Sequence, residues 1–207
     1  MQKIFSQQLR FKDGNGNDYP EWEEKKLGEV SNIIGGGTPS TKIPDYWDGE
    51  INWYSPVEID GKTYISESRK KITELGLKKS SAKILPIGTV LFTSRAGIGK
   101  TAILEAEGCT NQGFQSIVPK KGALETYFIF SMTHKVKRYA EIVGAGSTFT
   151  EVFGKQLSTM PLFLPLFEEQ QKIGGFFYKV DKMIENQSKK IDLLKERKKG
   201  FLQKMFV

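Results

Sequence analysis

Residues 166–207 read LFEEQQKIGGFFYKVDKMIENQSKKIDLLKERKKGFLQKMFV, and this stretch decides the architecture. Ile173, Phe177, Val180, Ile184, Gln187, Ile191, Leu194, Lys198, Phe201 and Met205 follow one another at alternating spacings of four and three. That is the heptad rhythm of a coiled-coil seam, and it predicts one long helix. Two seam positions, Gln187 and Lys198, are polar; such residues weaken a seam but fix its register and orientation. A helix of ~35 residues is ~50 Å long, more than one small domain covers, so it calls for a second helix alongside. The alternative is a helix packed along its own domain.

The composition changes at the same border. Glycine, threonine and aromatic residues are frequent before Pro165, whereas after Leu166 there is no proline and glycine occurs only at 174, 175 and 200. Residues 166–207 hold 10 Lys/Arg against 6 Asp/Glu, leaving 21 against 18 in residues 1–165, for a whole-chain net charge of +7. A basic balance of this size points to an anionic partner, nucleic acid ahead of a membrane surface. With 38% hydrophobic residues in 207 there is material for a real core, so a folded chain is expected. The division is therefore residues 1–18 as a linker or the remnant of a helix end, 19–165 as a globular domain, and 166–207 as the helical arm.

Working back from the arm, the globular part reads as mixed α/β. Thr89–Ser94, Thr101–Glu105 and Phe114–Val118 have the Val, Ile, Phe and Thr content of short strands. Leu124, Phe128, Met132 and Val136 place an amphipathic helix over 124–143, stopped by Gly144. Gln2-Lys3-Ile4-Phe5 echoes Gln203-Lys204-Met205-Phe206, which suggests one unit of a tandem repeat. The chain opens without a charged-then-apolar leader and has no ~20-residue apolar run, so a soluble cytoplasmic protein without a membrane partner is expected.

Several stretches imitate catalytic or metal sites. Ser94-Arg95-Ala96-Gly97-Ile98-Gly99-Lys100-Thr101 ends like a phosphate-binding P-loop, but Ser94 stands where the pattern needs glycine, and the residues that follow read as a strand. Arg95 and Lys100 nonetheless flank flexible backbone in a way that suits gripping a phosphate. Asp13, Asn15, Asn17 and Glu24 mimic calcium-loop spacing, but Asp18 replaces the required glycine and Pro20 lies inside the loop. The one histidine, His134, sits among Lys135, Lys137 and Arg138, and the one cysteine, Cys109, has no histidine near it in sequence. These readings predict no metal, no cofactor and no catalysis on this chain. Basic and small polar residues instead gather in loops: Gly35 to Lys42, with Thr38, Ser40 and Lys42; Lys62-Thr63-Tyr64; Arg69-Lys70-Lys71; and Gly146-Ser147-Thr148. Such loops approach a duplex closely and bond phosphates or base edges.

Taken in order, Trp22, Lys26-Leu27-Gly28-Glu29-Val30, Gly36-Gly37-Thr38-Pro39-Ser40, the 94–99 loop, Thr110-Asn111-Gln112-Gly113-Phe114, Gly146-Ser147-Thr148, Leu164-Pro165-Leu166 and Glu168-Glu169-Gln170-Gln171-Lys172-Ile173 resemble the specificity (S) subunit of type I restriction-modification enzymes, one half of it. The resemblance implies a DNA target-recognition domain on a spacer helix that pairs antiparallel with a second such helix. It implies double-stranded DNA, methyltransferase (M) subunits carrying S-adenosylmethionine, and a restriction (R) subunit as partners. With one domain and one helix, the chain is either a half-length subunit that dimerises or a piece of a two-domain one, and the echo at residues 2–5 leans toward the second; as a half-length subunit it is expected to dimerise through Ile173, Phe177, Val180, Ile184, Gln187, Ile191, Leu194 and Phe201, Gln187 lying near its symmetry mate. Residues within the family pattern, Thr38, Arg95 and Gly99, are expected to serve framework or phosphate contact. Off-pattern Lys42, Lys62, Tyr64, Arg69 and Lys70 are expected to read bases. Two other readings stay open: the recognition region of a fused restriction-methyltransferase, and a coiled-coil interaction protein that does not touch DNA.

Overall fold

The computed structural model describes residues 1–59, 61–95, 97–145 and 151–205, the side chain of Lys204 excepted. In chain order the elements are α1 (Gln2–Phe5), β1 (Glu23–Lys26), α2 (Leu27–Val30), β2 (Ser31–Gly35), β3 (Trp47–Tyr54), β4 (Tyr64–Ile65), β5 (Lys70–Ile72), α3 (Glu74–Lys78), β6 (Val90–Phe92), β7 (Thr101–Leu104), β8 (Gly108–Thr110), β9 (Gln115–Pro119), α4 (Thr126–Ser131), α5 (Thr133–Gly144), α6 (Gly154–Ser158), β10 (Pro161–Leu164) and α7 (Phe167–Met205). The class is the expected one, mixed α/β with a long C-terminal helix. All three expected strands form, two of them shortened to β6 and β7 and the third shifted by one residue as β9.

Alternation along these strands sets the layering. Val90 and Phe92 of β6, Ile103 of β7 and Ile117 of β9 face one side, where they meet Phe128, Ile129 and Val136 of the helices. Leu91, Ala102 and Leu104 face the other side, against Tyr54, Leu85 and Phe114. Successive side chains of a strand point to opposite faces, so strands buried on both faces read as continuous apolar runs. The five-stranded sheet has the order β2-β9-β6-β7-β4, and a three-stranded sheet, β5-β3-β8, packs behind it around Trp53, Ile72 and Cys109. The strands β1 and β10 pair antiparallel, bringing Glu23 opposite Leu164 just before the long helix starts.

The helix expected over 124–143 is two helices. Met132 closes α4 and opens α5, and the Thr133 hydroxyl donates to the Phe130 carbonyl (2.8 Å). Hydroxyl side chains that bond nearby carbonyls compete with the helical ladder, and the bend falls where Ser131 and Thr133 both do so.

The first turns of α7 belong to this core. Ile173 and Phe177 are buried with Trp22, Phe128 and Tyr127. Phe5 of α1 stacks on Phe177 at 5.6 Å, so residues 4 and 5 lie in the main core rather than in a loose segment. The buried Gln170 amide accepts from the Glu125 N–H (3.0 Å) and donates to the carbonyls of Ala123 (3.1 Å) and Pro165 (3.0 Å). Glu125 in turn caps α4 by accepting from the Phe128 N–H (2.6 Å), and burial pushes its carboxyl above the usual range. Gly174 permits this contact: a Cβ there would lie 2.2 Å from a Glu125 carboxylate oxygen. The fully buried Glu169 accepts from Arg10 Nη2 (2.7 Å) and Nε (3.3 Å), tying the N-terminal arm to the same helix.

Beyond Glu185 the side chains of α7 are exposed almost without interruption to Met205. Ile184, Ile191, Leu194 and Phe201 are each more than half exposed. The seam therefore has two environments: Ile173 and Phe177 face their own domain, and the stripe from Ile184 onward faces outward.

Gln170→Ala would leave one N–H and two carbonyls without partners in a buried site, at about 1–3 kcal/mol for each group stranded. The variant is expected to lose at least about 2 kcal/mol of stability in urea, whereas Asn186→Ala on the exposed arm changes it by under about 0.5 kcal/mol. Cys109 is fully buried, its thiol pushed up to about 12 by desolvation, so thiolate is scarce at pH 8. A disulfide-exchange reagent is expected to leave it unmodified at pH 8 until urea unfolds the chain.

Candidate nucleic-acid interface

β2, β3, β6 and β8 all end toward one rim of the domain, and a run of backbone hydrogen bonds joins the loops there. Gly37 N–H donates to Thr110 O (2.8 Å), Asn111 N–H to Tyr54 O (3.0 Å), Ser94 N–H to Gly113 O (2.8 Å), and Val152 N–H to Ser94 O (3.0 Å). The Thr38 hydroxyl donates to Gln112 Oε1, linking the glycine loop to the loop after β8. Loops bonded this way present side chains on a fixed backbone.

Glu58, 6% exposed, organises the neighbouring part of the rim. Its carboxylate accepts from the Ser55 N–H (2.7 Å), the Ser55 hydroxyl (2.5 Å) and the Arg69 N–H (2.6 Å). Arg69 is thereby held at the rim with its side chain exposed. Next to it, Trp47 meets Trp53 edge-on at 5.1 Å, and the Lys70 ammonium lies 5.6 Å from the Trp47 ring centre. Trp47 Nε1 donates to Ser40 O (3.2 Å) and Trp53 Nε1 to Gly37 O (2.8 Å), so the tryptophans anchor the loop that carries Thr38, Ser40 and Lys42. Thr38, Ser40 and Lys42 are all exposed.

The glycines of that loop have an internal explanation. A Cβ on Gly36 would lie 2.0 Å from Asn111 O, and one on Gly37 would lie 2.3 Å from Ser81 Oγ. Close packing within the protein requires them, not the approach of a duplex.

The 93–100 loop folds around Thr93, whose hydroxyl accepts from the Lys100 N–H (2.9 Å) and donates to Gly97 O (2.7 Å). The loop enters strand β7 and not a helix, unlike a phosphate-binding P-loop. Arg95 pairs with Glu151 (3.7 Å) at 38% side-chain exposure, and Lys100 is half-buried. The Gly146-Ser147-Thr148 loop lies outside the described residues.

The expected reading residues separate into three groups. Thr38, Ser40, Lys42, Arg69 and Lys70 lie together around the two tryptophans, and Arg95 and Lys100 occupy the adjoining hairpin. Lys62 and Tyr64 do not join them. Strand β4 is the far edge of the five-stranded sheet from β2, and Tyr64 packs at 6.3 Å from Tyr127 and 6.4 Å from Tyr178 of α7. Lys182 lies over its ring at 5.9 Å, and desolvation pushes the Tyr64 hydroxyl up to about 12. With Asp181, which accepts from the Tyr127 hydroxyl (2.7 Å), these residues line a cleft of about 300 Å³ at the foot of the arm.

Trp47, Trp53, Glu58 and Gln112 are the rim residues that sequence reasoning passed over. Gln112 stood in a quoted motif, and the tryptophans had the aromatic character of an anchor. Glu58 carried no local signal. The Asp13 segment is a turn: its carboxylate accepts from the N–H groups of Asn15 and Asn17, both at 2.8 Å. Among the described residues no group of three His, Cys, Asp or Glu side chains is placed to hold a metal ion, and no helix is long and apolar enough to cross a membrane.

Comparison with known proteins places the chain. The family described as type I restriction modification DNA specificity domain matches residues 19–196. The type I restriction enzyme MjaIX specificity subunit of Methanocaldococcus jannaschii is 38% identical over 196 residues, which are 93% of this chain and 45% of that protein. The EcoR124I/EcoR124II specificity subunit of Escherichia coli is 30% identical, over 84% of this chain and 43% of its own. The chain thus spans less than half the length of these relatives. Among solved structures, the HsdS subunit of Thermoanaerobacter tengcongensis shares the fold with a TM-score of 0.61 at 21% identity, over 86% of this chain and 42% of that one. A chain of a type I restriction-modification complex gives 0.66, also at 21% identity, over 91% and 46%. From the extent of the family match, together with a fold shared with solved specificity subunits, the chain belongs to the type I restriction-modification DNA specificity family.

Proposed function

We propose that this chain reads one half of a bipartite DNA target and does no chemistry itself, and that its arm pairs antiparallel with the arm of a second copy. The observation that carries the reading is the rim: Lys42, Arg69 and Lys70 are exposed around the Trp47–Trp53 pair, on loops fixed by backbone bonds and by Glu58. Positioned cations of this kind suit groove and phosphate contact. In this reading M subunits, carrying S-adenosylmethionine, dock on the paired arms, and an R subunit joins them for cleavage.

The proposal divides the labour among the rim residues. Arg95, a family-pattern residue on the hairpin, grips phosphate, while Lys42, Arg69 and Lys70 choose the sequence. Lys62 and Tyr64 serve the foot of the arm, because they face α7 across the domain.

Co-expression with a cognate M subunit, followed by mapping of methylated adenines and cytosines, tests the function. A single two-part sequence is expected, its halves related by a two-fold axis because one domain reads both. Methylation without sequence preference would refute it. Arg95→Ala is expected to weaken binding to all duplexes alike, by about tenfold at low salt, and to reduce the salt slope by about one. Lys42→Ala is expected to change the sequence recovered by binding-site selection; the reverse pattern would overturn the division of labour.

A further inference from the structure

Among the described residues three phenylalanine rings are more than half exposed: Phe201 on the arm, Phe163 on β10, and Phe153, which stands at the N-cap of α6. A serine, threonine, aspartate or asparagine at an N-cap accepts from an N–H of the first turn and stabilises the helix. A phenyl ring accepts no such bond, and one that is 58% exposed adds little to the core. Neither capping nor packing accounts for a phenylalanine here. A single exposed apolar residue needs no explanation by itself, but the place of this one supplies one.

The residues on either side of Phe153 lock it to the rim. Glu151 forms an antiparallel bridge with Arg95 and pairs with its guanidinium (3.7 Å), and the fully buried Val152 donates its N–H to Ser94 O (3.0 Å). Gly154 lies so close to the sheet that a Cβ there would be 2.8 Å from Gln115 Oε1 and 3.3 Å from Ile33 Cγ2. Gln115 stands opposite Gly35, where β2 gives way to the glycine loop. Phe153 therefore lies where the Arg95 hairpin meets the start of the loop that carries Thr38, Ser40 and Lys42. Its backbone is fixed on both sides: the Phe153 N–H donates to Gln156 Oε1 (2.9 Å), and Phe153 O accepts from the Leu157 N–H (2.9 Å). Gln156 Nε2 in turn donates to Val143 O (3.0 Å). Lys155, two residues on, is exposed.

We propose that Phe153 reads a thymine of the half-site, its ring seating against the C5-methyl group in the major groove. The inference rests on the DNA reading proposed above and adds an apolar contact that the cations of the rim cannot make. A ring without donors or acceptors recognises a base edge only through an apolar group, and the thymine methyl is the one that the major groove displays. The same groove shows each base pair's donors and acceptors without ambiguity, so the approach that lets Lys42, Arg69 and Lys70 choose a sequence brings the ring to the methyl as well. The fixed backbone means that the contact needs no ordering of the chain on binding.

The complex of this chain with its M subunit, on a duplex bearing the site found by methylation mapping, tests the proposal. Each thymine of the site is replaced in turn by uracil, which removes the methyl and leaves the hydrogen-bonding edge unchanged. One such replacement is expected to weaken binding about fourfold, the value of one buried apolar carbon. In Phe153→Ser the same replacement is expected to change nothing, while the thermal unfolding midpoint holds or rises because serine caps α6. Phe153→Leu is expected to keep the sensitivity to uracil. A site without thymine, replacements that are all silent, or a response that survives Phe153→Ser would overturn the contact while leaving DNA recognition intact. So would a Phe153→Ser loss that is equal on thymine and uracil duplexes. A parent complex without any sequence preference would overturn the DNA reading itself, and this contact with it, so the two failures are told apart.

Discussion

The direction of the arm is set by the contact between the first three turns of α7 and α4. Gln170 satisfies three backbone groups at once, Gly174 lets the helices close on the Glu125 cap, and the buried Glu169 carboxylate is held by Arg10. A buried carboxylate or amide is tolerable only when its bonding capacity is met, so these residues bind the arm's foot rigidly to the domain. Rigidity at the foot makes the direction of the arm a property of the domain.

The rim depends on a different use of the same economy. Short strands end together and their loops bond to one another through backbone groups, leaving side chains free on a stiff frame. The cations that gather there sit beside tryptophans whose indole N–H groups are already spent on the loop backbone. Such an arrangement presents charge and shape without requiring the protein to order itself on binding, which lowers the conformational cost of recognition.

Heptad spacing made the long helix legible, and the observed Phe167–Met205 falls inside the stretch that it predicted. Spacing does not say what faces a seam, however, and so Ile173 and Phe177 looked like arm residues while they are core residues. β3 was hidden by its own sequence. Asp48 takes a positive φ of 57° within it and the strand bulges there, Trp47 and Ile51 both standing opposite Ile72, which breaks the regular alternation of a strand. Glu58 was invisible because its three donors come from residues 55 and 69, and a loop closure of that kind leaves no periodic trace. Tyr64 was drawn to the interface by residue type, while its strand's place at the far sheet edge put it against α7.

The central claim is that one helix has two halves with different partners, its own domain at the foot and a second chain along the arm. Hydrogen exchange measured residue by residue, at protein concentrations below and above assembly, tests this directly. Amides of residues 170–178 should exchange at the rate of global unfolding at every concentration. Those of residues 184–205 should be weakly protected when dilute and strongly protected when concentrated. Uniform protection along α7 at all concentrations, or a foot that exchanges as fast as the arm, would contradict the account.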